Sequence, residues 1–147
     1  MKVEIRTAVQ ADAHAIVSLI RELAEHLCET SGVNEDAVAS FVANPECGAL
    51  VAESEGCIVG VLTFMSFPDL YHAAVSGQIR ELAVSKGARG TGVGRLLVGR
   101  FLEHARSAGW AEVSVSTMAD ERGAAEFYRS VGFADEALLL EYHFPIA

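Results

Sequence analysis

No apolar run in this 147-residue chain approaches the roughly 18 residues of a membrane-spanning helix. At the N-terminus, Lys2, Glu4 and Arg6 interrupt the apolar residues at once, which is not the layout of a signal peptide. These two absences predict a cytoplasmic protein without a membrane partner. Cysteine is scarce too. Cys28, Cys47 and Cys57 form no C-x-x-C pair and stand at no metal-ligand spacing with any of the five scattered histidines. The expectation is three reduced thiols and no metal centre. With 51% apolar residues, the chain can bury a core without disulfides or a structural metal.

Positive charge is also short. Eleven Lys and Arg face twenty Asp and Glu, for a formal net charge of −9. A duplex-binding protein needs a basic surface, so nucleic acid is excluded as a main partner. The deficit is uneven. Arg80, Lys86, Arg89, Arg95, Arg100 and Arg106 fall within 27 residues that hold only Glu81 and Glu103 as acids. A local basic island in an acidic chain suggests a small anionic ligand, with a solvated Arg-rich helix face as the alternative.

Hydrophobic periodicity gives the elements. Val3 to Arg6 alternates as a first strand. Asp12 stands where a cap would precede a helix with Ile16, Leu19, Ile20, Leu23 and Leu27 on one face, ended by Gly32. Asn34 caps a shorter helix with Ala37, Val38, Phe41 and Val42 inward, stopped at Asn44-Pro45. Ala49–Ala52 and Ile58–Phe64 flank a turn-like Glu53-Ser54-Glu55-Gly56 as a hairpin. A polar loop over 68–77 precedes a strand over 78–84. A long helix runs from Gly92 to about Ala108. Then come a strand at Val113 and Val115, a helix over 123–130 and a final strand through Leu138–Phe144. The order β-α-α-β-β-β-α-β-α-β predicts one α/β domain over 1–147, a mixed, mostly antiparallel sheet with helices on both faces. The strongly apolar last strand, exposed at an edge, predicts a homodimer.

The most informative stretch joins strand to long helix: Arg89-Gly90-Thr91-Gly92-Val93-Gly94-Arg95. A helix N-terminus presents unpaired backbone N–H groups and about half a positive charge. Glycines keep side chains off that surface, so phosphate oxygens can approach the amides. Inside a helix each glycine costs about 1 kcal/mol relative to alanine, a cost that backbone access would explain. The G-x-G-x-G spacing departs from the G-x-G-x-x-G of dinucleotide-binding folds. Arg95-Leu96 after Gly94 departs from the Lys-Ser/Thr of a nucleotide-binding P-loop.

Here the chain resembles the GNAT superfamily of acyl-CoA-dependent N-acetyltransferases. Arg89-x-x-Gly92-x-Gly94 fits the superfamily's Arg/Gln-x-x-Gly-x-Gly/Ala signature. Ile79–Val84 is similar to its fourth strand, and Ala125-Glu126-Phe127-Tyr128-Arg129-Ser130-Val131-Gly132-Phe133 to its Ala-x-x-Phe-Tyr-x-x-x-Gly-Phe segment. The loop and fourth strand also resemble aminoalkylphosphonate and aminoglycoside N-acetyltransferases. The resemblance implies acetyl-CoA as co-substrate and a fold whose fourth and fifth strands splay apart. The pantetheine arm would lie along Leu82, Ala83 and Val84, with the pyrophosphate on the amides from Arg89 to Arg95. The acceptor would be a small-molecule amine entering near the first two helices and the 68–77 loop.

Acyl transfer to an amine requires that the ammonium lose a proton, that the thioester carbonyl be polarised and that the leaving thiolate be stabilised. By the resemblance, Tyr128 serves the thiolate as general acid; its alternative is a core aromatic beside Phe127. Glu81 is the candidate base, with a substrate clamp or an exposed carboxylate as alternatives. Strand alternation puts Ile79, Glu81 and Ala83 on one face, unless a β-bulge re-aims them. Tyr71 and His72 are reserve substrate or base residues. Glu22, Glu25 and Glu29 share part of a helix face that would attract a cationic amine, and Glu29 is the substrate-binding candidate among them. The rival readings are a catalytically silent acyl-CoA-binding domain, an acetyltransferase of protein amines, and a nucleotide-binding module.

Overall fold

The computed structural model describes residues 2–118 and 122–146. The chain divides into two compact units, Met1–Val115 and Ser116–Ala147. The first holds β1 (Glu4–Thr7), α1 (Ala13–His26), α2 (Glu35–Ala43), β2 (Cys47–Ser54), β3 (Cys57–Asp69), β4 (Ala74–Val84), α3 (Val93–Ser107) and β5 (Val113–Val115). Its sheet runs β1-β2-β3-β4-β5 in space, antiparallel throughout except for the parallel β4–β5 pair. The expected mixed, mostly antiparallel sheet is therefore present.

Period-2 alternation sends neighbouring side chains to opposite layers. Val51, Val61 and Ala83 pack with Ile16, Val17 and Leu19 of α1 and Val38 of α2. On the other side, a Cβ at Gly60 would lie 2.9 Å from Val93 and 3.1 Å from Leu97 of α3. Glycine at 60 is what lets α3 sit so close. Phe64 stacks on Phe101 of α3 with ring centroids 4.7 Å apart. Val93, Leu97, Val98 and Phe101 are fully buried, so the helix predicted after the glycine turn covers one sheet face while α1 and α2 cover the other.

Several turns close differently from the sequence-based expectation. Asp12 precedes α1, but its side chain does not cap it. The carboxylate accepts from Arg6 Nη1 and Nη2 at 2.8 and 3.0 Å and from the Val9 amide at 2.8 Å. Arg6 reaches Glu53 of β2 as well, at 3.1 Å. These bonds, the Arg6 pair above all, hold the buried Asp12 carboxyl below the usual carboxylate range. Asp12 thus ties β1 to the entry of α1. Helix α1 stops at His26, not Gly32: Cys28 takes the left-handed conformation at φ 57°, and the Glu29 amide bonds back to the Ala24 carbonyl at 2.8 Å. Asn34 caps α2 as expected, its Oδ1 accepting from the Ala37 amide at 2.8 Å. The β2–β3 turn is formed by Glu55 and Gly56, both at positive φ, the form that suits the twist of a two-residue hairpin.

The 68–77 stretch, expected as a loop, is mostly strand. β3 runs on to Asp69 and β4 begins at Ala74. Asp69 closes the four-residue turn by accepting the His72 amide at 3.2 Å, the His72 ring at 2.5 Å and the Ser76 hydroxyl at 2.6 Å. A polar composition read as loop is therefore a turn chemistry that joins two long strands.

The second unit contains α4 (Arg122–Ser130), closed by Gly132 at φ 111°. The strand expected through Leu138–Phe144 is absent: residues 133–146 have no regular secondary structure. A strand exists by pairing, not by composition, and no pairing involves this stretch among the described residues. Leu138, Leu140, Tyr142 and Phe144 are all largely exposed, and Leu139 between them is exposed too.

Candidate active site

The site is built on β4. Opposite it on β3, Thr63 faces Glu81 while Phe64 faces Ile79, so Arg80 is an extra residue in β4. This bulge reverses the face of everything beyond it. Ile79 joins Phe64 on the α3 side, whereas Glu81 joins Thr63 on the α1/α2 side with Val61 and Ala83. Simple alternation groups Ile79 with Glu81; the bulge separates them. Arg80 is exposed and its Nη1 bonds to Gln78 Oε1 at 2.7 Å.

Glu81 thereby reaches the floor of a cavity of about 310 Å³ between α1, α2 and the sheet. Thr63, buried, shares the floor and donates its hydroxyl to Glu81 Oε1 at 2.5 Å while accepting the Glu81 amide at 2.9 Å. Among the described residues Oε2 has no hydrogen-bond partner, so Thr63 fixes one carboxylate oxygen of a residue that lines the space. Ile16 and Ile20 of α1 and Val38, Phe41 and Val42 of α2 form walls. Sequence reasoning assigns these residues to the core and misses Thr63; a helical apolar stripe looks the same whether it fills a core or lines a pocket.

The other edge of β4 opens at the same level. β5 pairs only with Gly77–Ile79, and no strand pairs there with Leu82, Ala83 or Val84 among the described residues. Among the described residues the pairing of β4 with β5 ends at Ile79, where the resemblance implies a splay. Beyond β4 comes the glycine turn. Gly90 and Gly92 lie at φ 77° and 90°, left-handed values that disfavour any Cβ. A Cβ at either would meet nothing within 4 Å, so both positions face open space. The first α3 bond runs from the Leu96 amide to the Gly92 carbonyl at 3.1 Å, leaving the Val93 and Gly94 amides at the helix mouth without intrahelical acceptors. Thr91 turns its hydroxyl to the Ala88 carbonyl. Arg89, expected as a phosphate ligand, donates Nε to the Val84 carbonyl at 3.1 Å and Nη2 to Glu22 at 3.3 Å. Glu22 also accepts the Lys86 amide at 2.8 Å. Glu22 thus braces the turn from α1. Glycine conformation, open space and helix end together fit a diphosphate held by main-chain amides.

The remaining candidates lie elsewhere. Glu29 is exposed beyond the end of α1 and does not line the cavity. Tyr71 and His72 sit at the β3–β4 tip, Tyr71 being 93% exposed. Ala74 and Glu81 are separated along an extended strand by roughly 23 Å at 3.3 Å per residue, so the turn is not brought to Glu81. The Ser76 hydroxyl, with His72, pushes the Asp69 carboxyl down to about 2. Asp69, His72 and Glu112 bring three potential metal-ligating atoms within 4.8 Å of one another. Asp69 already spends those oxygens on closing the turn. In the second unit Tyr128 is buried, its ring edge-on to Phe127 and Phe133 at 5.1 and 5.4 Å. Burial raises its phenol to about 12, so it remains protonated at neutral pH.

No helix among the described residues is long and apolar enough to cross a membrane. Residues 14–133 match the model of the acetyltransferase (GNAT) family. The aminoalkylphosphonate N-acetyltransferase of Salmonella typhimurium is 30% identical over 130 residues, 88% of this chain and 84% of that protein. Rat N-acetyltransferase 8 is 34% identical over 98 residues, 67% of this chain, which spans only 44% of the relative. A solved aminoglycoside acetyltransferase from a soil metagenome, in complex with sisomicin, superposes with a TM-score of 0.83 over 99% of this chain and 97% of its own, at 22% identity; that likeness concerns the fold. The bulged strand and the glycine turn, together with these matches, show that the chain belongs to the GNAT family and is an acyl-CoA-dependent acetyltransferase.

Proposed function

We propose that this protein transfers the acetyl group of acetyl-CoA to the primary amine of a small molecule by direct attack. The observation that carries the reading is the position of Glu81: it floors a cavity on one side of β4, while beyond Ile79 no strand among the described residues pairs with the other edge, which leads into the glycine turn. Amine and thioester can therefore meet across one strand. The coenzyme supplies an activated acyl carbon. The Val93 and Gly94 amides hold its diphosphate, and the β4 edge at Leu82, Ala83 and Val84 aligns its arm. A main-chain amide of Leu82 or Ala83 polarises the carbonyl. Glu81 takes the proton of the ammonium, directly or through one water, so that the nitrogen lone pair attacks. The C–N bond forms, the adduct nitrogen loses its second proton to solvent, the C–S bond breaks, and the Tyr128 hydroxyl donates a hydrogen bond to the departing sulfur.

Calorimetry with free and acetylated coenzyme A, followed by thiol release with a mixed amine panel, tests the reading. Coenzyme heat without an ATP counterpart, and release only when amine is present, are expected. Coenzyme binding without release on any amine would favour a silent acyl-CoA-binding domain; ATP heat alone would favour a nucleotide module.

A second copy of the chain is proposed to cover the apolar segment 138–146, where Leu138, Leu140, Tyr142, Phe144 and Ile146 are each more than three-quarters exposed. Such a run is a pairing liability unless it is covered. Light scattering should read two chains, and removal of residues 138–147 should return one. A single chain at micromolar concentration would contradict this. The three unpaired thiols support a reducing, cytoplasmic setting.

A further inference from the structure

Resting on the acetyltransferase reading, we infer that the acceptor is a small primary amine on an apolar body, an arylalkyl or branched alkyl amine. The cavity decides this by size, by wall chemistry and by charge.

Its volume of about 310 Å³ lies at the small end of the roughly 300–1,000 Å³ of ligand sites. One ring or a branched chain fills it. The deep wall is aliphatic and aromatic: Ile16, Ile20, Val38, Phe41 and Val42. The mouth is at Ser31, Gly32 and Ala37, which line the same space and are exposed, so this is an accessible pocket rather than a closed void in the core. Burying an apolar acceptor against that wall is favourable in proportion to its area, and Phe41 offers a ring for an aromatic one.

The polar groups are few and sit at one end. Glu81 and Thr63 are together on the floor, where the reacting nitrogen must arrive. Among the described residues no Arg, Lys or His lines the cavity. Arg21 of α1 spends its Nη2 on the Val33 carbonyl at 3.2 Å. A phosphonate dianion would find no cation among the described lining residues, and a buried anion without a partner is strongly disfavoured. A polyamine's second ammonium would find no second carboxylate among the described lining residues. Sugar hydroxyls would lose water against methyl groups, each unpaired group weakening binding by about tenfold or more. The one carboxylate matches a single amine. This chemistry differs from the acceptor named for the Salmonella relative, although the two chains are 30% identical.

The test uses the full chain at saturating acetyl-CoA, with thiol release read for phenethylamine and isoamylamine against 2-aminoethylphosphonate, kanamycin, spermidine and a Gly-Phe dipeptide. The apolar amines should exceed each polar acceptor in kcat/KM by about 100-fold, as two uncompensated polar groups require. Val42→Arg, which puts a cation on the apolar wall, should cut kcat/KM for phenethylamine by at least about tenfold while leaving the coenzyme Kd unchanged; intact coenzyme binding also shows that this variant folds. If a variant that binds coenzyme still turns over phenethylamine at the wild-type rate, the wall plays no part in recognition and the inference fails. Comparable or faster turnover of the phosphonate, aminosugar, polyamine or dipeptide overturns the inference and leaves the acetyltransferase reading standing. No thiol release from any amine overturns both.

Discussion

Replacing Glu81 with glutamine is expected to lower kcat/KM for the amine acceptor by about 10²- to 10³-fold, within the range of a positioned acid–base group. The substitution is nearly isosteric, and the new carboxamide keeps an oxygen able to accept the Thr63 hydroxyl, which in the native protein lies 2.5 Å from Oε1. What it removes is the capacity to hold a proton. If Glu81 is the base, the native pH–rate profile carries a limb that depends on it. In the variant that limb disappears, and the rate instead climbs with pH toward the amine's own ionisation, where the acceptor no longer needs help. Activity in the variant should therefore recover part of the deficit above about pH 10, near the ordinary value of an alkylammonium such as lysine. A clamp would behave differently. If Glu81 only attracts the ammonium, KM rises, kcat holds and the pH–rate profile keeps its shape. Full pH–rate curves of the two proteins separate these outcomes, and an unmoved profile rules out the base.

The assignment of Glu81 shows where sequence reading reaches and where it stops. Alternation places Glu81 on a face with Ala83, which the sheet confirms, but also with Ile79, which it does not. The inserted Arg80 is the reason: one extra residue flips the register, and no side-chain pattern in β4 marks it, because an exposed arginine suits either face. The glycine turn is legible because positive φ restricts residue choice so strongly that the chemistry is written in composition. The role of Arg89 is not, because its partner Glu22 lies 67 residues away in sequence and carboxylates on α1 read equally well as bait for an amine. The polar stretch at 68–77 becomes strand because Asp69 closes a tight turn by itself. The last apolar run does not become strand, because pairing depends on a neighbour that composition does not supply. In each case local rules hold while long-range partners decide the outcome.

Tyr128→Phe is expected to lower kcat by about 10²-fold while changing the coenzyme Kd little. Desolvation is what lifts this phenol to about 12, and that value constrains its role. A free thiol ionises well below that value, so full transfer from the phenol to the departing thiolate runs uphill. Hydrogen-bond donation to the sulfur as charge develops carries no such penalty and is strongest where water is excluded. On the proposed mechanism the phenol acts by hydrogen-bonding the leaving sulfur, and solvent protonates the thiolate afterwards. The substituted side chain keeps the ring packing against Phe127 and Phe133 and lacks only the donor, so a purely structural tyrosine predicts unchanged kcat. The same variant has a second readout with a fixed sign. A phenol whose folded value is raised keeps its proton longer in the native state than in the unfolded chain, so stability declines as pH rises from about 10 to about 12, by up to about 3 kcal/mol. Urea melts across that window should show the decline in the native protein and a shallower one in the variant. Loss of the alkaline decline with kcat intact would leave Tyr128 as a buried aromatic; loss of both places its hydroxyl at the sulfur.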